Sequence, residues 1–295
     1  MESAQHSARR QSLIGALFMV AACSLFAVTS LIAKALGNDM LGPALHPFQI
    51  SAGRFFFAFL CLMPVALLVR PSFRKANWKL HFGRSICGWL GVSAVFAAAA
   101  RMPLADATAI SFLSPIITMI LAVFILREVI PAGRWLLVLL SFAGMGLITR
   151  PGMDAFQPAA LIAFVSACFM GMEMIFIKKL ADTEHPVRIL IINNGIGATV
   201  SVTIALAFWT FPSPLQWGLL ALLGATMVTG QSCFIQSMKR GNASFVAPFM
   251  YVTPVFAALY DYWLFGEIVS LISSFGITMI IVSAVLQSRP AGESR

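Results

Sequence analysis

The stretch Ser114–Glu128, SPIITMILAVFILRE, decides the fold of this chain, because it returns in altered form as Thr253–Glu267, TPVFAALYDYWLFGE. In both, a proline stands second and a glutamate closes the run thirteen positions later, Pro115 to Glu128 and Pro254 to Glu267. The residues between are almost all apolar. A helix rises about 1.5 Å per residue, so about 20 apolar residues cross the hydrocarbon core of a bilayer. With the apolar residues before them, both runs reach that length, at 106–126 and 243–265.

Outward from these two, eight more runs of the same kind lie near 13–34, 47–69, 80–100, 132–149, 157–178, 188–209, 215–237 and 270–287. Hydrophobic residues make up 59% of the 295 positions and charged residues 11%. A soluble protein carries about 25% charged residues, and its surface needs them to stay hydrated. The composition therefore excludes a soluble enzyme and a disordered chain. The expected fold is all-α and integral to a membrane, a ten-helix bundle with loops too short for a soluble catalytic domain.

The net charge of +9 reads as cytoplasmic loops facing anionic lipid, not as a nucleic-acid surface. With the N-terminus inside, sixteen of the twenty Lys and Arg fall inside, only Lys34, Arg101 and Arg150 fall outside, and Arg54 falls within a span. Both termini, residues 1–12 and 288–295, are thus expected in the cytoplasm, with the chain in a bacterial inner membrane. Cys23, Cys61, Cys87, Cys168 and Cys233 lie singly in apolar runs, with no C-x-x-C pair, and read as packing residues. Arg9, Arg10 and the motif ending at Cys23 resemble a lipoprotein leader, but the apolar run continues to Lys34, which argues for a retained span.

Further matches extend the repeat. Val20-Ala21-Ala22-Cys23 with Lys34 returns as Val165-Ser166-Ala167-Cys168 with Lys179, a shift of 145 residues. His46-Pro47 returns as His185-Pro186, a shift of 139, the same as for the proline–glutamate pairs. The pattern predicts two five-helix repeats, 13–149 and 157–287. Five is odd, so the second copy enters the membrane from the opposite side, the inverted plan of secondary transporters.

The stretch Pro103–Pro115 leading to Glu128, and Ala243–Pro254 leading to Phe265-Gly266-Glu267, resemble the two signature stretches of EamA-type transporters in the drug/metabolite transporter superfamily. The resemblance covers about residues 13–287. It implies ten helices in two halves around a central cavity, and a carrier of a small organic metabolite. Relatives of that kind export amino acids or toxic organic compounds, or take up riboflavin or S-adenosylmethionine. Neither cargo nor direction follows from it.

An ionisable group inside a span costs about 2.5–3.5 kcal/mol on insertion scales and usually faces a cavity or a partner. Arg54, Glu173 and Asp261 are such groups, and Arg84 lies near a span end where it could snorkel. Depth along the spans predicts two layers: Arg54 with Asp261 towards the outside, and Glu173 with Asn193, Asn194 and Gln231 towards the inside. Arg54 is the candidate for an anionic part of the cargo or for a gate, with a structural ion pair as the alternative. Glu173 is the candidate proton carrier or cation-binding group. Trp89 and Tyr251 are candidates for stacking on a flat cargo. Glu128 and Glu267 read as features of the fold, capping a loop or pairing with Arg127 or Arg134. No Walker A, H-E-x-x-H or Ser/His triad is present, so no catalytic residue, cofactor or metal is expected. The expected partners are a small organic substrate, protons as a candidate coupling ion, and the lipid bilayer. An intramembrane enzyme using Glu173 and Asp261, and a non-transport membrane subunit, are the competing readings.

Overall fold

The computed structural model describes residues 2–37, 42–99, 101–102, 104–149, 159–265 and 270–288. The described elements are helical. They are α1 (Glu2–Leu36), α2 (Pro47–Val69), α3 (Trp78–Ala99), α4 (Leu104–Ser111), α5 (Ser114–Leu121), α6 (Ala132–Thr149), α7 (Ala159–Thr183), α8 (Pro186–Ala205), α9 (Pro214–Arg240), α10 (Ala243–Val246), α11 (Thr253–Phe265) and α12 (Leu271–Ser288). Helix α4, α5 and a π-helical turn at Ala122–Leu126 together form the fourth span; α10, a 3-10 segment at Ala247–Val252 and α11 form the ninth.

Among the described residues, nine helical segments are long and apolar enough to cross a membrane. The remaining expected span, α3, is 22 residues long, but Lys79, His81 and Arg84 near its start lower its hydropathy. Helix α1 starts at Glu2, ahead of the expected start of the first span, so much of the N-terminal tail is a helical extension.

Local chemistry sets the helix starts. His46 caps α2 and His185 caps α8; in each the ring Nδ1 accepts the N–H two residues on, at 3.3 Å, and a proline follows at the first helical position. Proline is tolerated there because its missing N–H has no partner to lose. Ser213 and Gln216 form a reciprocal capping box at the start of α9. Prolines inside the fourth and ninth spans act in the opposite sense. Pro115 cannot donate to the carbonyl of Ser111, and α4 ends there. Pro248 stands second in the 3-10 segment of the ninth span and Pro254 second in α11.

The main helix pairs are α1 with α9, α3 with α7, α2 with α8, and α6 with α12. Replacing every helix by the one five spans along maps this set onto itself: α1 with α9 becomes α7 with α3, and the other two pairs are self-related. The correspondence holds at single residues. A Cβ on Gly91 would lie 2.9 Å from Met170, and one on Gly230 would lie 3.2 Å from Leu25. Gly91 and Gly230 differ by 139, Leu25 and Met170 by 145, the two shifts of the repeat. Between α6 and α12, Gly144 backs onto Gly276 while Ser283 Oγ donates to the carbonyl of Leu137. Rising positions in one helix meet falling positions in the other, so α6 and α12 run antiparallel.

The largest apolar core lies among α1, α7, α8, α9 and α10, with Met19, Ile175, Leu180, Ile189 and Met238 fully or nearly fully buried. A second joins α5, α6, the 3-10 segment and α12 through Met119, Val138, Met145, Tyr251 and Ile280.

Candidate functional site

Helix α7 lies against α3 over a row of glycines. A Cβ on Gly83 would meet Phe176, one on Gly88 would meet the Glu173 carboxylate at 3.0 Å, and one on Gly91 would meet Met170. The missing side chain of Gly88 leaves the space in which Glu173 turns towards α3. One helical turn before Gly88, Arg84 is 4% exposed and places its Nε 3.8 Å from Glu173 Oε1. The charge of Arg54 on α2 also acts on this carboxylate, from beyond ion-pair distance. Helix α2 packs on α8 and α9, and α3 on α7, while α2 and α3 have no extended contact with each other. Arg54 lies along the ring of Phe55, its guanidinium carbon 4.3 Å from the centroid.

Depth along the helices agrees with this convergence. Glu173 lies about 15 Å from the end of α7, level with Gly88 at about 15 Å into α3. Arg84 lies about 9 Å into α3, and Arg54 about 10 Å into α2 from the opposite end. The carboxylate is at mid-bundle, with Arg84 rooted nearer one end of the bundle and Arg54 nearer the other.

This arrangement differs from the two expected layers. Helix α7 continues to Thr183, beyond the expected span end, because Lys178 is held inside by Asp182 and by the carbonyl of Met238, both at 2.8 Å. Glu173 is thereby at mid-depth and groups with Arg54 and Arg84. Asn194 donates to Gln231 Oε1 at 2.8 Å and to its own helix at Leu190, tying α8 to α9. Asn193, beside it on α8, is partly accessible. Asp261 belongs to α11, and its side chain lies outside the described residues, as does Glu267.

The two aromatic candidates sit elsewhere. Tyr251 is fully buried; its hydroxyl donates to the carbonyl of Phe112 at 2.9 Å, and Phe112 and Phe142 cover its ring. No face is left for a cargo. Trp89 is 60% exposed and continues the accessible apolar stripe of Phe82, Ile86 and Val92, on the side of α3 turned away from α7. It reads as a lipid-facing residue.

Glu128 acts as the fold feature expected of it. Arg127, at φ 56, turns the chain out of the π-helical segment, and the two Glu128 oxygens accept the N–H groups of Ala243 and Ser244 at 2.9 Å each. The first half thus caps the first turn of α10 in the second.

Two features escaped the sequence. Arg84 was expected near the polar boundary and is instead a buried member of the central cluster; the residue one turn on, Gly88, is the sequence signal of a close neighbour. A second buried group stands where α3 begins: Glu184 Oε2 lies 3.1 Å from His81 Nε2 and 3.5 Å from Arg188 Nη1, and Glu184 Oε1 accepts the N–H of Asn77 at 2.6 Å. Asn77 and His81 lie more than a hundred positions from Glu184 and Arg188, and nothing local marks the meeting of the two pairs. A groove of about 540 Å³ among the ends of α1, α8 and α9, lined by His185, Gln236, Lys239 and Arg240 among others, is separate from the central cluster.

Residues 13–150 and 157–289 each match the family described as the EamA-like transporter family. The chain is 28% identical over 256 residues to an S-adenosylmethionine uptake transporter of Rickettsia prowazekii, covering 85% of this chain and 87% of that one. It is 26% identical over 208 residues to a pseudopaline exporter of Pseudomonas aeruginosa, covering 70% and 73%. It is 25% identical over 264 residues to a riboflavin transporter of Vibrio cholerae, covering 88% of each. A solved crystal structure superposes with a TM-score of 0.78 at 18% identity, over 92% of this chain and 96% of the other, a likeness of fold.

Proposed function

The chain belongs to the EamA-like transporter family, and from that premise we propose that it is a secondary carrier working by alternating access. Its cargo is a small organic metabolite of the size its relatives' names indicate. The two repeats, 13–149 and 157–287, rock about a site held between them, and no catalytic step is involved. The membrane is the bacterial inner membrane with both termini in the cytoplasm, a reading supported by the sixteen-to-three division of basic residues.

The observation that carries this reading is the ion pair of Arg84 in the first repeat with Glu173 in the second, at mid-bundle, where an unused charge would be costly, with the charge of Arg54 acting on the same carboxylate. Such a group has differential contacts to make when one half moves against the other. Protons are the candidate coupling ion, with Glu173 as their carrier.

The test is counterflow into proteoliposomes containing the purified chain, with S-adenosylmethionine, riboflavin and the twenty amino acids as candidate cargoes, with and without an imposed pH gradient. Saturable, protein-dependent exchange of one of these is expected. Inward and outward loading then separate uptake from export. Absence of exchange for every candidate, with folded protein in the liposomes, removes the carrier reading on this panel. If Glu173→Gln keeps exchange but loses its response to the gradient, Glu173 is the proton carrier. An unchanged response assigns coupling elsewhere.

A further inference from the structure

Resting on the carrier reading, we propose that Arg54 and Arg84 form a clamp for a carboxylate of the cargo. The first observation is an unmet demand for acceptors. A guanidinium carries five N–H donors. The buried Nε of Arg54, and the buried Nε and Nη1 of Arg84, make no hydrogen bond. Arg84 as a residue is more than nine-tenths buried. Such orphaned donors are rare in native interiors and mark places where something else completes the bonding.

The second observation is the charge balance. Two guanidiniums face one carboxylate, which leaves the cluster one positive charge in excess. Buried charges are stable only when paired. One added carboxylate brings the group to neutrality, whereas a phosphate monoester, at nearly two negative charges, would overshoot. A planar carboxylate also matches the fork of a guanidinium, which binds it through two parallel N–H donors.

The third observation is that the resident carboxylate is held loosely. At 3.8 Å the Arg84–Glu173 contact is longer than a hydrogen bond. The Glu173 side chain is 27% accessible, although it sits level with the middle of α3. The carboxylate lies against Gly88, and as the end of a flexible side chain it can turn towards one arginine and leave the other to the cargo. Arg54, stacked on Phe55 with its buried Nε unbonded, is the arginine that receives the incoming group.

The repeat supplies a contrast. Shifting Arg54 by 139 positions reaches Asn193, and shifting Arg84 reaches Leu223; shifting Glu173 back by 145 reaches Val28. The fold is duplicated and the charged cluster is not, so the duplicated architecture does not require it.

The test takes whichever cargo the counterflow panel identifies and compares it with its methyl ester in wild-type proteoliposomes. The expected result is a cargo bearing a carboxylate, with the ester weaker by ten-fold or more in KM. Arg54→Lys and Arg84→Lys keep the charge and lose the fork. Each is expected to raise KM for the acid about ten-fold and to leave the ester unchanged. Melting temperature and membrane abundance identify a variant that has merely misfolded, and the ester comparison needs no variant at all. Exchange of a cargo without a carboxylate, or of acid and ester alike, overturns the clamp and leaves the carrier standing. Absence of exchange for the whole panel removes the carrier reading, and the clamp with it.

Discussion

Tyr251 donates its phenolic hydrogen bond to the carbonyl of Phe112 at 2.9 Å, and the two residues occupy equivalent positions in the two halves of the chain, 139 residues apart. Their rings lie 6.5 Å apart. Contact between equivalent residues of a duplicated fold marks where the two copies meet about their common axis. Residues around this point, including Met119, Val138 and Ile280, are fully buried, so this junction is a structural seam, while the charges meet elsewhere, among α2, α3 and α7.

That separation makes Tyr251 a structural residue. Tyr251→Phe removes one buried hydrogen bond and is expected to cost about 1 kcal/mol, read as a lower melting temperature in detergent. KM for the cargo is expected to stay at the wild-type value; a rise at equal abundance would place Tyr251 at the substrate.

Gly144 and Gly276 let α6 and α12 touch backbone to backbone. A Cβ on Gly144 would sit 2.6 Å from the carbonyl oxygen of Gly276, and a carbonyl cannot swing aside as a flexible side chain can. Gly144→Val is expected to destabilise the protein by about 1–3 kcal/mol, the range for overfilled interiors. A melting temperature equal to that of the wild type would show that this interface does not exist as described.

Glu128 satisfies two N–H groups of α10 with its two oxygens. Glu128→Ala leaves both donors without that acceptor, and about 1–3 kcal/mol of destabilisation is expected. Glu128→Gln retains one acceptor and should fall between Ala and wild type. The ordering of the three melting temperatures is the check, and equal values for Ala and wild type would contradict the cap.

Gly88 gives Glu173 its room. Gly88→Ala brings a Cβ to 3.0 Å from the carboxylate, which can move because it ends a flexible side chain. Folding is therefore expected to survive while exchange slows several-fold, with KM and maximal rate measured separately in proteoliposomes. Unaltered kinetics would mean that Glu173 is free to sit elsewhere during transport.

Topology is checked by reporters. Fusions after Arg295 and beside Lys75 are expected to score cytoplasmic, and one beside Gly152 external. A cytoplasmic score at Gly152 would be incompatible with an odd number of spans in the first repeat.

Several levels of this protein were legible before any coordinates. The presence and approximate place of the spans follow from the length and apolarity of each run, which are local properties. His46-Pro47 and His185-Pro186 stood out as a repeated pair ahead of two spans, and that each histidine caps its helix was added by the structure. Matches at shifts of 139 and 145 announced a duplication, and the same shifts relate the residues that touch, Gly91 with Met170 and Gly230 with Leu25. Arg54 and Glu173 stood out because a charge in an apolar run is conspicuous.

Only the tertiary structure decided which of these charges meet. Depth counted along a helix says how far a residue lies from an end, and a small error in that end moves it between layers, as the extension of α7 to Thr183 did for Glu173. Which face of a helix meets which neighbour depends on pairings across a hundred residues or more, and here these turned on the glycines of α3. They brought Arg84 into the centre and left Trp89 on the accessible stripe, while Phe112 and Phe142 buried Tyr251 at the junction of the halves. The sequence by itself determined a duplicated bundle of apolar helices, because hydrophobicity and helix length act locally. The identity of the charged centre came from the fold, because long side chains converge only after helices distant in the chain have packed.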